Sequence, residues 1–458
     1  MNAFTPAETL HRLVKQAMDS GAATSLAEAE SLFRGYRIGF SISPAEAARC
    51  PHQIALLTGV ALARRVFLGG VSVAGALDVP LLVPVARGSN LRDAVRLLGA
   101  ELADAEPSDR RPCISIGGVP CGRRAGFHIR AVFAGWRGGA VPAHAVFASS
   151  EGTGMPLAPM LAAAISVSEA FFYVQSQTPV AGKRLVGFSL WQPARKNWLA
   201  PDGDAPALRY LPSNLWLIGL GHLGQAYLWA LGLLPFPNPT GASLILQDTD
   251  LITPSTWSTS ILTDTAMAGM MKTRAMASWA EQRGFETRIH ERLFDASFTR
   301  RDDEPAIALC GIDNALGRRA LDRVGFAFVV EAGLGRGHRD FRTIRLHTLP
   351  GCRPASEIWK SGGGDEDVSD RAAYQRMLQE GDLDACGVTL IAGKAVGAPF
   401  VGAIAACLAI AEVLRLLHGG PLHHLIDLDL QSPEHRTVAG RLPAFETLNP
   451  GFVEVPVG

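Results

Sequence analysis

One stretch limits the possible folds more than any other. Leu215-Trp216-Leu217-Ile218 is a short apolar run that reads as a buried strand. Gly219-Leu220-Gly221-His222-Leu223-Gly224 follows without a gap, and residues 225–234 continue with helical periodicity. Strand, glycine turn and helix in that order form the start of a parallel α/β unit, the context in which G-x-G-x-x-G carries meaning. The first glycine permits the tight turn, the second lets a phosphate approach the backbone, and the third lets the helix pack on the strand. Free N–H groups at the helix start then face an anion.

A chain with 48 glycines produces such motifs by chance, so the surroundings decide. A second apolar run, Ala242-Ser243-Leu244-Ile245-Leu246, ends in Gln247-Asp248-Thr249-Asp250. An acid at the tip of the second strand is where a ribose hydroxyl is held. A dehydrogenase reads the same up to this point. Beyond it, Lys272 lies in a helical stretch, 266–282. A third run, Ile307-Ala308-Leu309-Cys310, leads to Gly311-Ile312-Asp313-Asn314, and Arg318-Arg319 sit on the next helical pattern. An acid, a base and a second acid along successive elements suit a triphosphate with a metal better than a nicotinamide.

On these residues the stretch resembles the ATP-binding core of the ThiF/MoeB/ubiquitin-activating superfamily, over roughly 205–440. Gly219, Gly221 and Gly224, then Asp248 and Asp250, then Lys272, then Asp313-Asn314 and Arg318 stand in the family order. The resemblance implies ATP and Mg²⁺ as cofactors, and adenylation of the C-terminal glycine of a ubiquitin-like protein. It departs from the family at 255–259. There Ser-Thr-Trp-Ser-Thr replaces a segment that usually carries an asparagine and an arginine.

Activating enzymes often bring an arginine from the partner half onto the phosphates. Arg34 and Arg37 follow a polar helical segment, 1–48, with helices expected at 6–18 and 25–33. Arg37 is the candidate to fill the gap at Thr259; two ordinary surface arginines are the plain alternative.

Residues 49–200 read as α/β. Helices are expected at 53–65 and 89–102, and strands at 66–73, 79–85, 113–117, 127–133 and 145–148. No phosphate loop appears there, but a repeat does. Gly154-Met155-Pro156 opens an Ala-rich helix reaching Glu169, and Gly397-Ala398-Pro399 opens another reaching Glu412. Gly, Pro and Glu match in register, with proline where a missing N–H costs little. The expected architecture is therefore α/β, with two Rossmann-like adenylation-type domains that each hold a mostly parallel sheet. The inactive one spans 49–200 and the active one 205–458, with a crossover and cysteine segment at about 350–395. Within that segment Ser361-Gly-Gly-Gly-Asp-Glu-Asp367 is a glycine-acid loop. Chance similarity of two Ala-rich helices is the alternative to a true repeat.

Lys+Arg and Asp+Glu balance at 43 each, which argues against nucleic acid or an anionic membrane as main partner. Seven cysteines without a C-x-x-C pair point to neither a disulfide framework nor a zinc ribbon. The first twenty residues have no apolar signal core, so a soluble cytoplasmic protein is expected.

The carboxylate that attacks the α-phosphorus is negative, and so is its target, so the site must neutralise charge. Lys272 is assigned to phosphate, Asp248 to the ribose, and Asp313 to Mg²⁺, with Asn314 and Arg318 positioning phosphate and Asp250 a further cofactor-binding residue. A helix cap is the alternative for Asp313. The resemblance also implies acyl transfer to a cysteine and then to a conjugating-enzyme-like protein. Cys386, before Gly387-Val388, is the candidate, Cys352 is a lesser one, and Cys310 and Cys407 read as core. A homodimer is open to such a chain. The paired-domain layout resembles activating enzymes of bacterial antiphage conjugation operons. The competing readings are an NAD(P)- or FAD-dependent oxidoreductase and a non-catalytic nucleotide-binding adaptor.

Overall fold

The computed structural model describes residues 4–103, 111–117, 126–147, 154–360, 367–381, 383–441, 448 and 450–456. The glycine-acid loop at 361–366 and Ala148 lie outside them.

The chain begins with three helices, α1 (Pro6–Thr9), α2 (Lys15–Asp19) and α3 (Leu26–Arg34). The single helix expected over 6–18 is broken at His11–Val14. Lys15 and Asp19 pair in the core, and the Tyr374 hydroxyl donates to Asp19, which pins α2 to a helix late in the chain. The first half then runs β1 (Ile38–Ile42), α4 (Pro44–Ala47), α5 (Cys50–Ala63), β2 (Val71–Gly75), α6 (Leu91–Leu97), β3 (Glu101–Ala103), β4 (Cys113–Ile116), β5 (His128–Ala134), β6 (Arg137–Pro142), α7 (Leu157–Val174) and β7 (Val186–Ser189). Its seven-stranded sheet has the order β3-β2-β1-β4-β5-β6-β7. The first five are parallel; β6 and β7 turn antiparallel.

After β8 (Tyr210–Pro212) the pattern returns: β9 (Asn214–Ile218), α8 (His222–Leu233), β10 (Ser243–Gln247), α9 (Lys272–Glu281), β11 (Glu286–His290), β12 (Ile307–Cys310), α10 (Ala315–Ala320), β13 (Phe328–Leu334) and β14 (Thr343–Leu349). Then come α11 (Ala355–Ile358), α12 (Ala372–Gln379), α13 (Ala385–Ala392), α14 (Pro399–Leu417), β15 (Leu422–Asp429), β16 (Thr437–Arg441) and β17 (Phe452–Glu454), the last paired with β8. The second sheet has the order β11-β10-β9-β12-β13-β14-β15-β16, again parallel through its fifth strand.

The two sheets therefore share one topology, and the repeat read in the sequence is structural. Glu169 on α7 is buried against Arg184 and the Gly182 amide (3.0 Å). Glu412 on α14 is buried against Arg415 and His423 Nδ1 (2.9 Å). Glu169 thus ties α7 to the segment leading into β7, and Glu412 ties α14 to β15. The halves meet through these helices. Phe171 of α7 lies 5.6 Å from Phe400 of α14, and Trp229 of α8 donates to Thr58 of α5 at 3.1 Å. Helices α7 and α14 are long and apolar enough to cross a membrane, yet 89% of each apolar window is buried in the protein.

Three expectations are corrected. The boundary at 49 falls too late, because β1 (Ile38–Ile42) is an inner strand of the first sheet, between β2 and β4. Residues 79–85 form no strand; Pro80 and Pro84 lack the N–H a ladder needs, and only a bridge from Pro80 to Asn90 forms. Residues 89–102 divide into α6, a short helix capped by Asn90, and β3. β6 went unread, because Gly138-Gly139 carries no strand signal. Those glycines admit close neighbours: a Cβ would meet the Ala158 carbonyl at 2.2 Å and the Val186 carbonyl at 2.3 Å.

Candidate active site

A cleft of about 920 Å³ opens at the carboxyl ends of β9, β10, β12 and β13, where open α/β sheets place their ligands. The glycine turn forms its floor. Gly219 has φ +88°, closed to most side chains, and its Cβ would press on Ile312. A Cβ at Gly224 would lie 2.0 Å from the Gly219 carbonyl, so α8 can sit this close only on a glycine. At Gly221 the nearest atom to a Cβ is Lys272 Nζ at 3.9 Å; the space is otherwise open to the cleft. Gly221 also holds the N-cap position of α8, which has no side-chain cap. The helix therefore presents uncapped N–H groups beside an ammonium.

Lys272 starts α9, and its Nζ lies 2.7 Å from Asp250 and 3.8 Å from Asp248. Asp248 is nearly buried. One of its oxygens accepts from the Leu220 amide at 2.7 Å and the other from the Asp250 amide at 2.8 Å. It thus fixes the glycine turn as well as marking the end of β10. Asp313 follows β12 on the opposite wall, exposed to the cleft. The helix cap that competed for Asp313 is Asn314, whose side chain accepts from the Leu316 amide at 2.9 Å. Arg318 lines the same wall, 3.0 Å from the buried carboxylate of Glu331, which His347 approaches at 3.3 Å. Glu331 had no signal in the sequence beyond being an acid in an apolar strand.

One expected residue lies outside the cleft. Arg37 is exposed on the turn before β1, at the amino end of that strand, and does not line the cleft; Arg34 pairs with Glu30 on the surface. The N-terminal segment does reach the cleft, but through Arg12. The turn between α1 and α2 carries Arg12 onto the 3-10 helix Pro254–Ser258, with its amide 3.2 Å from Ser258 Oγ and its guanidinium 3.5 Å from Ser255 Oγ. That segment, 255–259, is the one in which the resemblance leads one to expect an arginine, with the gap at Thr259. Burial pulls the Arg12 guanidinium below its usual range, and the Asp313 carboxylate works against that pull. The break between α1 and α2 was the hidden signal: Arg12 inside one long helix has no reason to turn inward.

His222, inside the motif, is buried against the start of α14. Burial brings its pKa down to about 4, so it sits there neutral.

Six cations line the described cleft (Arg12, Lys272, Arg292, Arg318, Arg336 and Lys394) against four carboxylates (Glu8, Asp248, Asp250 and Asp313). The excess suits a polyanion. Among the described residues no group of three His, Cys, Asp or Glu could hold a metal by itself.

Cys386 stands exposed in the first turn of α13 and does not line the cleft. The other end of that helix does, through Gly393 to Gly397. Seven residues of helical rise separate the two, roughly 10 Å. Cys352 is exposed at the opposite end of the sheet, 4.0 Å from His424 Nε2. Cys310 and Cys407 are core: burial pushes the Cys310 thiol up to about 12 and Cys407 well above its ordinary value.

Two family models match the chain, the BilD N-terminal domain over residues 37–190 and the BilD C-terminal domain over residues 211–420. A protein described as bacterial E1-like protein BilD, from Collimonas sp. (strain OK412), is 44% identical over 429 residues, 93% of this chain and 92% of that one. Among solved structures, E. coli MccB with succinimide aligns at 15% identity over 60% of this chain and 71% of that chain, with a TM-score of 0.33. MccB with ATP aligns at 16% over 51% and 65%, also with a TM-score of 0.33. So loose a likeness transfers no residue between the chains.

Proposed function

The chain belongs to the BilD family, and from that premise we propose that it adenylates the C-terminal carboxylate of a ubiquitin-like protein at the cleft beside Gly221. The observation that carries this reading is the presence of three independent positive elements in one cleft: the uncapped start of α8 with Lys272 Nζ beside Gly221, and Arg12 entering from the N-terminal segment. A dinucleotide oxidoreductase has no need of an added arginine at this end, and an adaptor has no need of the charge.

The nucleotide's phosphates are proposed to rest on the Gly221 amide turn, with Asp248 and Asp250 toward the ribose. The substrate carboxylate oxygen bonds to the α-phosphorus, and the bond to the leaving pyrophosphate breaks. Lys272 and Arg12 offset the charge that gathers on the phosphates, and Arg318, braced by Glu331, is held ready without reorganisation. Asp313, with no capping duty, is the residue proposed to hold Mg²⁺, an ion that takes one or two carboxylates and completes its shell with phosphate oxygens and water.

The acyl group is then proposed to pass to Cys386 as a thioester, releasing AMP, and on to a conjugating-enzyme-like protein, as in the antiphage conjugation pathways the sequence resembles. With Cys386 outside the cleft, this step requires α13 to shift by roughly its own length.

The test is pyrophosphate–ATP isotope exchange in the presence of candidate ubiquitin-like proteins. Exchange that depends on an intact C-terminal glycine supports the reading. ATP binding with no exchange for any such partner favours the adaptor. A reductant-sensitive adduct that persists in Cys386→Ala removes that cysteine from the scheme.

A further inference from the structure

Arg65, just past the end of α5, is 2% exposed and yet has no carboxylate bonded to it among the described residues. Burying an unpaired cation is costly. Its guanidinium instead makes four hydrogen bonds to backbone carbonyls. One is Ala61, in its own helix. The other three belong to the second half: Trp257, Ile261 and Thr263, each at 2.9 Å. The Trp257 ring covers the pair Arg64 and Arg65, with their guanidinium carbons 5.4 and 5.5 Å from its centre. A residue of the first half thus grips a single loop of the second.

That loop does not end at the grip. Thr259 and Ser260, between the gripped carbonyls, line the cleft. Thr263 Oγ1 accepts from the fully buried Gln225 amide at 2.9 Å, and the Gln225 oxygen accepts from the Leu262 amide at 3.1 Å. Gln225 lies on the first turn of α8 and also donates to the Leu220 carbonyl at 3.2 Å. Leu220 stands between the first two glycines of the motif, and Asp248 holds its amide from the other side. Both polar backbone groups of Leu220 are therefore spoken for.

We propose that Arg65 and Gln225 are positioning residues that set the glycine turn from the first half: Arg65 fixes the loop 257–263, the loop fixes Gln225, and Gln225 fixes Leu220. The proposal rests on the nucleotide reading of the cleft and adds to it a reason for the first half to exist in the same chain. Neither side chain reaches the cleft, and an amide turn whose N–H directions are set in advance binds an anion without paying to order itself.

The test uses the full chain in five forms: wild type, Arg65→Met, Arg65→Lys, Gln225→Leu, and the double variant Arg65→Met/Gln225→Leu. ATP dissociation constants, melting temperatures and amide exchange at 219–224 without nucleotide are measured for each. Each single variant is expected to weaken ATP binding about tenfold, and the double variant no further than the weaker single, because both cut one chain of contacts. Exchange at the turn rises in all of them before any nucleotide is added. Arg65→Lys retains the charge but lacks the fork, so it is expected to resemble Arg65→Met. Additive losses, or turn amides that exchange as in wild type, overturn the proposal. If Arg65→Met does not fold, Gln225→Leu alone decides through the turn amides. If wild type binds no ATP while the variants still loosen the turn, the nucleotide reading falls and the coupling stands.

Discussion

The two halves share a strand order and part company at the end of their first strand. In the second half β9 passes through Gly219 directly into α8, whose leading N–H groups have no side-chain cap. In the first half β1 passes into α4, a one-turn helix placed before the long α5. There Ser43 and Glu46 form a capping box, with the Ser43 hydroxyl 2.8 Å from the Glu46 carboxylate. The same carboxylate fills the space beside Gly117, where a Cβ would lie 1.8 Å from it. Gly117 follows β4 as Gly311 follows β12. The first half has thus satisfied its own helix start and set a carboxylate beside Gly117, where the second half packs Leu223 against Gly311. The topology is shared; on the proposed reading, the uncapped turn of the second half is the one that receives a phosphate.

The most severe way to break this comparison is to remove the charge from the open turn. Lys272→Ala is expected to lower ubiquitin-like-dependent pyrophosphate exchange by about 10²–10³, the usual cost of losing one preorganised charge. An unchanged rate would mean that the two turns do not differ in function. Arg12→Ala is expected to cost on the order of 10²-fold, and Arg37→Ala less than about twofold, a surface change of the ordinary kind. Equal effects from the two would undo the assignment of Arg12 as the entering arginine.

Within the motif, Gly224→Ala is expected to destabilise the protein by about 1–3 kcal/mol through overpacking, seen as a lower melting temperature. Gly221→Ala meets only Lys272 Nζ, so it should leave melting nearly unchanged and weaken ATP binding. In the first half, Glu46→Ala removes a capping box and is expected to cost about 1 kcal/mol of stability with no change in ATP affinity. Altered nucleotide binding there would reopen the first crevice as a ligand site.

The smallest effect concerns pH. His11 and His222, both near the cleft, have pKa values brought down to about 4 by burial. Below the ordinary imidazole value the unfolded chain takes up protons that the folded one refuses, so stability falls as pH drops from 6.5 toward 4. Between pH 7 and 6 each contributes less than about 1 kcal/mol. His222→Asn should flatten the melting temperature across that range, and an unaltered slope would mean the ring is not held neutral.

Much of the candidate site was legible because its parts are local. A glycine turn, an acid at a strand end and a lysine at a helix start each follow from a few adjacent residues, and their order carries the rest. The matching Gly, Pro and Glu of α7 and α14 were legible for the same reason. Other features had no local sign. Residues 79–85 look like a strand by apolar content, but they run into a turn whose Val85 carbonyl accepts from Arg283 of the second half at 2.8 Å. β6 is held in the sheet by its neighbours on both sides rather than by side chains that favour a strand.

By itself, the sequence determined that this chain builds a parallel α/β unit with a phosphate-ready turn, and that a related helix occurs twice. Only the tertiary structure decided that Arg12 completes the cleft, that Asn314 rather than Asp313 caps α10, and that Cys386 stands at the far end of its helix. Periodicity and turn chemistry act over a few neighbouring residues. The direction of one guanidinium depends on a break between two short helices and on a loop some 240 residues away that receives it.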